Sequence, residues 1–526
     1  MDFIGDLLQI GTFYGFFLAK YSLEEHPMSS RPLPELSPLR AALWPIHGAE
    51  MKKFLPMAMI MMLILFNYTV VRSLKDAMII ATPGSGAEVV NFMKGWVVLP
   101  SSILFVLLFA KLSNILSRQA LYYTCLLPFV VFFAAFALLI YPNREFLHPD
   151  PEMIQNLQAS YPYLKWVFPI YGFWTYSTFY VIAELWGNIG INILFWQFAN
   201  QITSTLEAKR FYSFIGIIGN IALILAGSAL EKTASAANFG ITLNYLMAFV
   251  VFSGLMIAGI YYWMNKSVLT DPKYYSDAGK MKKGKEEKPK LSIGESIKFL
   301  LSSKYLGYIA LLTLGYGITI NLVEVTWKAQ VKIAYPDQGS YTNFLGNLYF
   351  WMGFVTIGIM FATKGVVRRF GWATGAMATP LMILLTGSLF FAFVLWQDSL
   401  GQAIAFLGTT PLMAAVYIGG IQNAFGKGTK YALFDPTREM AYIPLDQESK
   451  IKGKAAVDVI GGRMGKSGGG WIQMGLLSAM GSAATQMSIA PYLAAIVLVV
   501  VIVWLWAVKK LSGEYKTLLE KKGENA

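Results

Sequence analysis

Histidine and cysteine are almost missing from this chain, which has three of the one and one of the other in 526 residues. His26, His47 and His148 fall in predicted loops without metal-ligand spacing, and Cys125 lies inside an apolar run with no second cysteine to pair with. A zinc or redox centre, an internal disulfide and a cofactor-dependent membrane enzyme are not expected, and no cofactor is assigned. Charge is scarce as well: 14% of residues are Asp, Glu, Lys or Arg, against 56% hydrophobic and 15% aromatic, a balance foreign to soluble globules. The chain therefore reads as a polytopic membrane protein. Its net charge of +13 does not make nucleic acid a partner, because the lysines sit in short loops between apolar runs, where a positive-inside bias puts them. A P-loop is lacking too. Gly465-Lys466-Ser467 would need a glycine where Ile460 stands, and no strand leads into it, which argues against an ATPase motor.

Runs free of Asp, Glu, Lys and Arg mark the spans, since about 20 apolar residues cross the hydrocarbon core. They cover 54–71, 120–143, 211–230, 305–323, 338–363, 370–397 and 399–426, with one more within 233–265. A span near 95–110 is too short unless it takes in Lys94, and 467–507 holds two only if the first begins before Lys466. The stretch 165–207 is counted as one span with a lateral lead-in, because the parity then gathers Lys111, Arg118, Lys209, Arg210, Arg368 and Arg369 on one side. The expectation is an all-α protein of 12 transmembrane helices with both termini cytoplasmic. Phe109-Ala110, Lys111, Arg118 and Pro128 are echoed by Phe361-Ala362, Lys364, Arg368 and Pro380 at the same phenylalanine-to-proline spacing. That echo fits two six-helix halves in a major-facilitator-like arrangement. The expected divisions are 1–53, an interfacial cytoplasmic segment; 54–265, the first half; 266–304, a basic cytoplasmic linker; 305–508, the second half; and 509–526, a tail. Asp6, Glu24 and Glu25 speak against a signal or transit peptide, so a bacterial inner membrane is expected rather than an organelle.

Inside this apolar background stand Lys94, Glu184, Glu324 and Lys466. A charge at membrane depth costs roughly 2.5–3.5 kcal/mol on insertion scales and faces a partner, a cavity or a solute. Two lysines and two glutamates spread over both halves look like a transport site for an anion. A structural scaffold or receptor is the competing class, and it predicts that these charges can be neutralised without loss.

Longer strings carry a family resemblance. Asn67-Tyr68-Thr69 with Arg72 and Lys75-Asp76, Ala183-Glu184-Leu185-Trp186-Gly187, the run Phe195 to Thr203, and Glu207 to Tyr212 resemble the ATP/ADP translocases of plastids and obligate intracellular bacteria. So do Asn321 to Lys328, Tyr431 to Asp435 with Glu439 to Asp446, and Lys452 to Ala456 followed by Gly465 to Gly469, and the likeness extends over 41–512. The resemblance implies exchange of host ATP for bacterial ADP, with phosphate as a possible further cargo, and it places transport function on Lys94, Glu184, Glu324 and Lys466. A monomer in the lipid bilayer is expected.

For such a substrate Lys94 and Lys466 are the expected phosphate contacts. Arg72 and Lys75 either grip phosphate or snorkel to the interface. Glu184 and Glu324 pair with the lysines in the empty site, gate it, accept protons, or make helix-packing hydrogen bonds. Asn67, Asn200, Asn321, Asn192 and Gln197 offer amides for a base, Lys328 is a further candidate, and Trp174, Tyr180, Trp186, Phe195 and Trp196 offer ring faces, most of them core. Antiport and proton symport both stay open. Family members place Asp-Thr where this chain has Ser73-Leu74, so a broader range including other ribonucleotides or NAD stays open too.

Overall fold

The computed structural model describes residues 44, 46–235, 238–271, 274, 302–363, 365–404, 408–446, 449, 453, 454, 456, 457, 465–481 and 484–521. The expected interfacial helix at the N-terminus and most of the expected basic linker lie outside the described residues. Every regular element among the described residues is helical.

The spans are α1 Met51–Ile80, α2 Ala87–Ile115, α3 Arg118–Ile140, α5 Trp174–Ile202, α6 Thr205–Thr233, α7 Phe239–Val268, α8 Lys304–Ala334, α9 Gln338–Ala362, α10 Trp372–Leu395 and α14 Ala490–Lys521. Short α4 Pro151–Ser160 and the turn Phe168–Gly172 form the lateral lead-in to α5. Ten helices among the described residues are long and apolar enough to cross a membrane. Two more, α12 Pro411–Thr429 and α13 Gly465–Met480, also pack into the bundle but fall short in length or apolarity.

The expected span 399–426 is divided in the structure. An amphipathic helix, α11 Gln397–Ile404, ends before Gly408, whose φ of +65° is open to glycine, and α12 starts afresh with Pro411 in its first turn. Thr410 caps it, its hydroxyl accepting from the Met413 amide at 3.2 Å. These breaks are made by uncharged residues, which a count of charge-free runs passes over. The repeat has a structural counterpart: Phe109 and Phe361 lie near the ends of α2 and α9, and Pro128 and Pro380 lie inside α3 and α10.

The most enclosed helices are α1 and α8, whereas α2 turns Leu104, Leu107 and Leu108 outward. Around α1 pack α5, α6 and α7; around α8 pack α12, α13 and α14. The two groups meet where α6 crosses α9 backbone to backbone. A Cβ on Gly227 would lie 2.3 Å from the Phe350 nitrogen, and one on Gly346 2.5 Å from the Glu231 nitrogen, so only glycine permits this crossing.

Candidate transport site

α1 and α8 are the most enclosed helices of the bundle, and Arg72, Lys75, Asp76, Glu324 and Lys328 on them satisfy one another. They do so in one chain of ion pairs. Lys75 on α1 contacts Glu184 of α5 at 2.9 Å and its neighbour Asp76 at 2.9 Å. Asp76 receives Lys328 of α8 at 2.8 Å, Lys328 reaches back one turn to Glu324 at 3.0 Å, and Glu324 accepts from Arg72 of α1. The network thus joins both groups of helices. Lys75 also stands over the Tyr180 ring, 3.8 Å from its centroid.

Two expectations are corrected here. Arg72 and Lys75 do not snorkel: the Lys75 side chain is 2% exposed and that of Arg72 18%, and both end on carboxylates inside the bundle. Nor do the glutamates pair with Lys94. Lys75 holds Glu184, and Arg72 and Lys328 hold Glu324, at ion-pair distance, while Lys94, near the start of α2, reaches neither carboxylate. Lys94 has no ion-pair or hydrogen-bond partner among the described residues, and it lies in a π-helical stretch, Met93–Val98, a local widening frequent at functional sites. The backbone of Lys466 is the second residue of α13, as expected for a lysine at a helix mouth; its side chain lies outside the described residues.

Three of the amide candidates make hydrogen bonds within the bundle. Asn67 donates to the Val250 carbonyl at 3.1 Å, Asn200 accepts from the Tyr212 hydroxyl at 2.7 Å, and Asn321 accepts from Gln473 at 3.1 Å. Trp186 and Trp174 donate to backbone carbonyls, and the Tyr180 ring contacts the Lys75 charge. Sequence reasoning left Asp76 and Lys427 unassigned. Asp76 was quoted only within a motif, and Lys427 of α12 lies in a glycine-rich run that reads as packing.

Beyond the network, at the end where α1 runs into α2, the two groups are tied together. Gln338 donates to Thr82 at 2.7 Å, Lys332 to the Ser85 carbonyl, the Gln486 amide to Glu88 at 2.7 Å, and Trp166 to the Ala484 carbonyl at 3.0 Å. At the opposite end the described ion pairs include Lys53–Glu207 and Arg210–Glu50 in the first group and Lys454–Glu439 in the second. An opening of about 540 Å³ lies at the tied rim, lined by Thr82, Tyr141, Arg144, His148 and Gln338, away from the charge network. No group of His, Cys, Asp and Glu suited to a metal ion occurs among the described residues.

A helical bundle of this kind with an ion-pair network at its centre is a multi-pass membrane transporter of the major-facilitator-like fold. The fold is similar to a bacterial homologue of the iron transporter ferroportin in an inward-facing state, with TM-score 0.55 and 14% identity over 89% of this chain and 100% of that one. It is also similar to a D-xylose–proton symporter, with TM-score 0.53 and 13% identity over 88% of this chain and 97% of that one. The particular family is the TLC ATP/ADP transporter family, whose model matches residues 30–515, and the chain belongs to it. Curated relatives include ADP,ATP carrier protein 1 of Chlamydia muridarum, 50% identical over 90% of each chain. Others are ADP,ATP carrier protein 1 of Rickettsia bellii, 44% identical over 92% of this chain and 97% of the relative, and the chloroplastic carrier of Arabidopsis thaliana, 42% identical over 91% and 77%.

Proposed function

We propose that the protein imports ATP in exchange for ADP, with Lys94, Glu184, Glu324 and Lys466 forming the transport site and Arg72, Lys75 and Lys328 contributing to it. The observation that carries this reading is the chain of ion pairs shared between the two groups of helices. Phosphate oxygens can replace Glu184 and Glu324 as partners of Lys75, Arg72 and Lys328, so an anionic substrate substitutes for bonds the empty site makes with itself. The carboxylates then act as stand-ins for the substrate. Asn67, Asn200 and Asn321 support the walls of the site through the packing bonds described above.

The mechanism we infer is alternating access, the helices of 54–265 and 305–508 rocking about the α6–α9 crossing as two six-helix units, with the segment 266–304 between them. The ties at one end support a conformation closed on the side away from the termini. With the Lys- and Arg-bearing loops on the cytoplasmic side, both termini are cytoplasmic and the membrane is a bacterial inner membrane. The unit is a monomer, and phosphate accompanies ADP as a further cargo. Labelled ATP uptake by proteoliposomes preloaded with ADP, with other nucleotides or with buffer alone, at two external pH values, tests this. Uptake that requires internal ADP and ignores the pH gradient is expected; proton-driven uptake into empty vesicles would make the protein a symporter instead.

A further inference from the structure

Among the described residues, Lys427 on a helix of the second group has no anionic partner. Lys427 lies three residues from the end of α12, partly buried, and its amine meets only the Met352 sulfur at 3.7 Å and the face of Tyr349, 5.4 Å from the ring centroid. Neither is an anion, and Tyr349 and Met352 are themselves buried. The carboxylates that act on Lys427 are Glu324 and Asp76, and both are already engaged, Glu324 by Arg72 and Lys328, Asp76 by Lys75 and Lys328. A lysine kept at membrane depth with a thioether and a ring as its contacts is badly placed for stability and well placed for an anion that arrives from outside.

We propose that Lys427 is a phosphate-binding residue of the transport site, gripping the phosphate chain of the nucleotide together with Arg72. This rests on the nucleotide reading above. Phosphate entering between Lys427 and Arg72 takes the place of Glu324 on the guanidinium and supplies the anion that Lys427 lacks. Lys94, which also has no anionic partner among the described residues, belongs to the first group of helices, so a phosphate chain held by Lys94 and Lys427 is held by both groups at once. The contact should weigh more for ATP than for ADP, and more for ADP than for AMP, because each phosphate adds negative charge.

The test uses the full chain, purified and in proteoliposomes, as wild type, Lys427→Met, Lys427→Gln and Lys427→Arg. Nucleotide binding, exchange and nucleotide-free thermal midpoint are each measured. Methionine keeps the length of the side chain and removes the charge, so the expected Lys427→Met protein melts no lower than wild type without nucleotide, yet binds ATP at least about tenfold more weakly. The loss is smaller for ADP, and Lys427→Arg recovers part of it. Wild-type ATP affinity in a folded Lys427→Met or Lys427→Gln protein would overturn the proposal. So would a failure of both to fold while Lys427→Arg folds, which would make Lys427 a structural residue. A wild type that binds no nucleotide and exchanges none would overturn the underlying reading instead, and is recognised in the same vesicles before any variant is compared.

Discussion

Glu324 is the carboxylate through which Arg72 joins the network, since Arg72 and Lys328 both end on it. Replacing it by glutamine keeps the shape and leaves two buried cations short of a partner. Breaking a buried pair from one side costs about 3–5 kcal/mol. Glu324→Gln is therefore expected to lower the nucleotide-free thermal midpoint by several degrees, and added ATP should restore much of it, since phosphate can occupy the vacated place. Thermal unfolding with and without ATP reads both effects; a variant that melts like wild type would remove Glu324 from the network. The same residues show how far a sequence can be read at this scale. Lys94, Glu184, Glu324 and Lys466 stand out because each interrupts a charge-free run. Asp76 does not, because it sits beside Lys75 near the end of its run and its decisive partner, Lys328, comes from a different helix far along the chain. Lys427 is hidden for a related reason: glycines on both sides give its run the look of a packing face, and no residue type announces that its neighbours in space are a methionine and a tyrosine.

Elements were legible wherever their ends coincide with charges. α9 and α10 fall where their charge-free runs predict, whereas the break between α11 and α12 rests on Gly408, Thr410 and Pro411, which are uncharged and escape such a count. The α6–α9 crossing was not legible at all, because Gly227 and Gly346 are two among 47 glycines and their meeting depends on how the helix groups pack. Since a Cβ on Gly346 would meet backbone atoms, which cannot rotate away, Gly346→Leu must separate the helices. Overpacking costs typically 1–3 kcal/mol, so the expected protein is folded with a lowered melting point and exchanges nucleotide at least about tenfold more slowly. Unchanged exchange would mean that the crossing does not act as the pivot. At the tied rim, the His148 ring meets the Thr175 hydroxyl at 2.6 Å and fastens the loop after α3 to α5. Burial, with Arg144 adding to it, holds the His148 pKa below the usual histidine value, so the fold favours the neutral ring. This contribution is whole above the ordinary pKa of about 6.5 and fades as pH falls through the lower folded value. Wild type should accordingly lose more thermal stability than His148→Gln on acidification from about pH 7.5 to about pH 5.5. Equal losses would assign the acid sensitivity elsewhere.

For the molecule as a whole, the balance of charge at the centre bears on why exchange should be obligatory. Among the described side chains, Arg72, Lys75 and Lys328 are matched by Asp76, Glu184 and Glu324, and Lys94 and Lys427 have no anionic partner. With nucleotide bound, those two amines are neutralised; without it, the site has to pass through its closed intermediate carrying uncompensated charge in a low-dielectric interior, which raises the barrier to reorienting empty. Tight coupling of export to import then follows from electrostatics rather than from a separate latch. If so, removing one surplus charge should loosen the coupling as well as weaken binding. Vesicles loaded with labelled ATP and diluted into nucleotide-free medium should release it far more slowly than into medium containing ADP. In Lys94→Gln the two rates should draw together, chiefly because release into nucleotide-free medium becomes faster relative to exchange. A variant that slows both rates in proportion would show that Lys94 contributes to binding alone, and the barrier to empty reorientation would have to be sought in the ties at the rim.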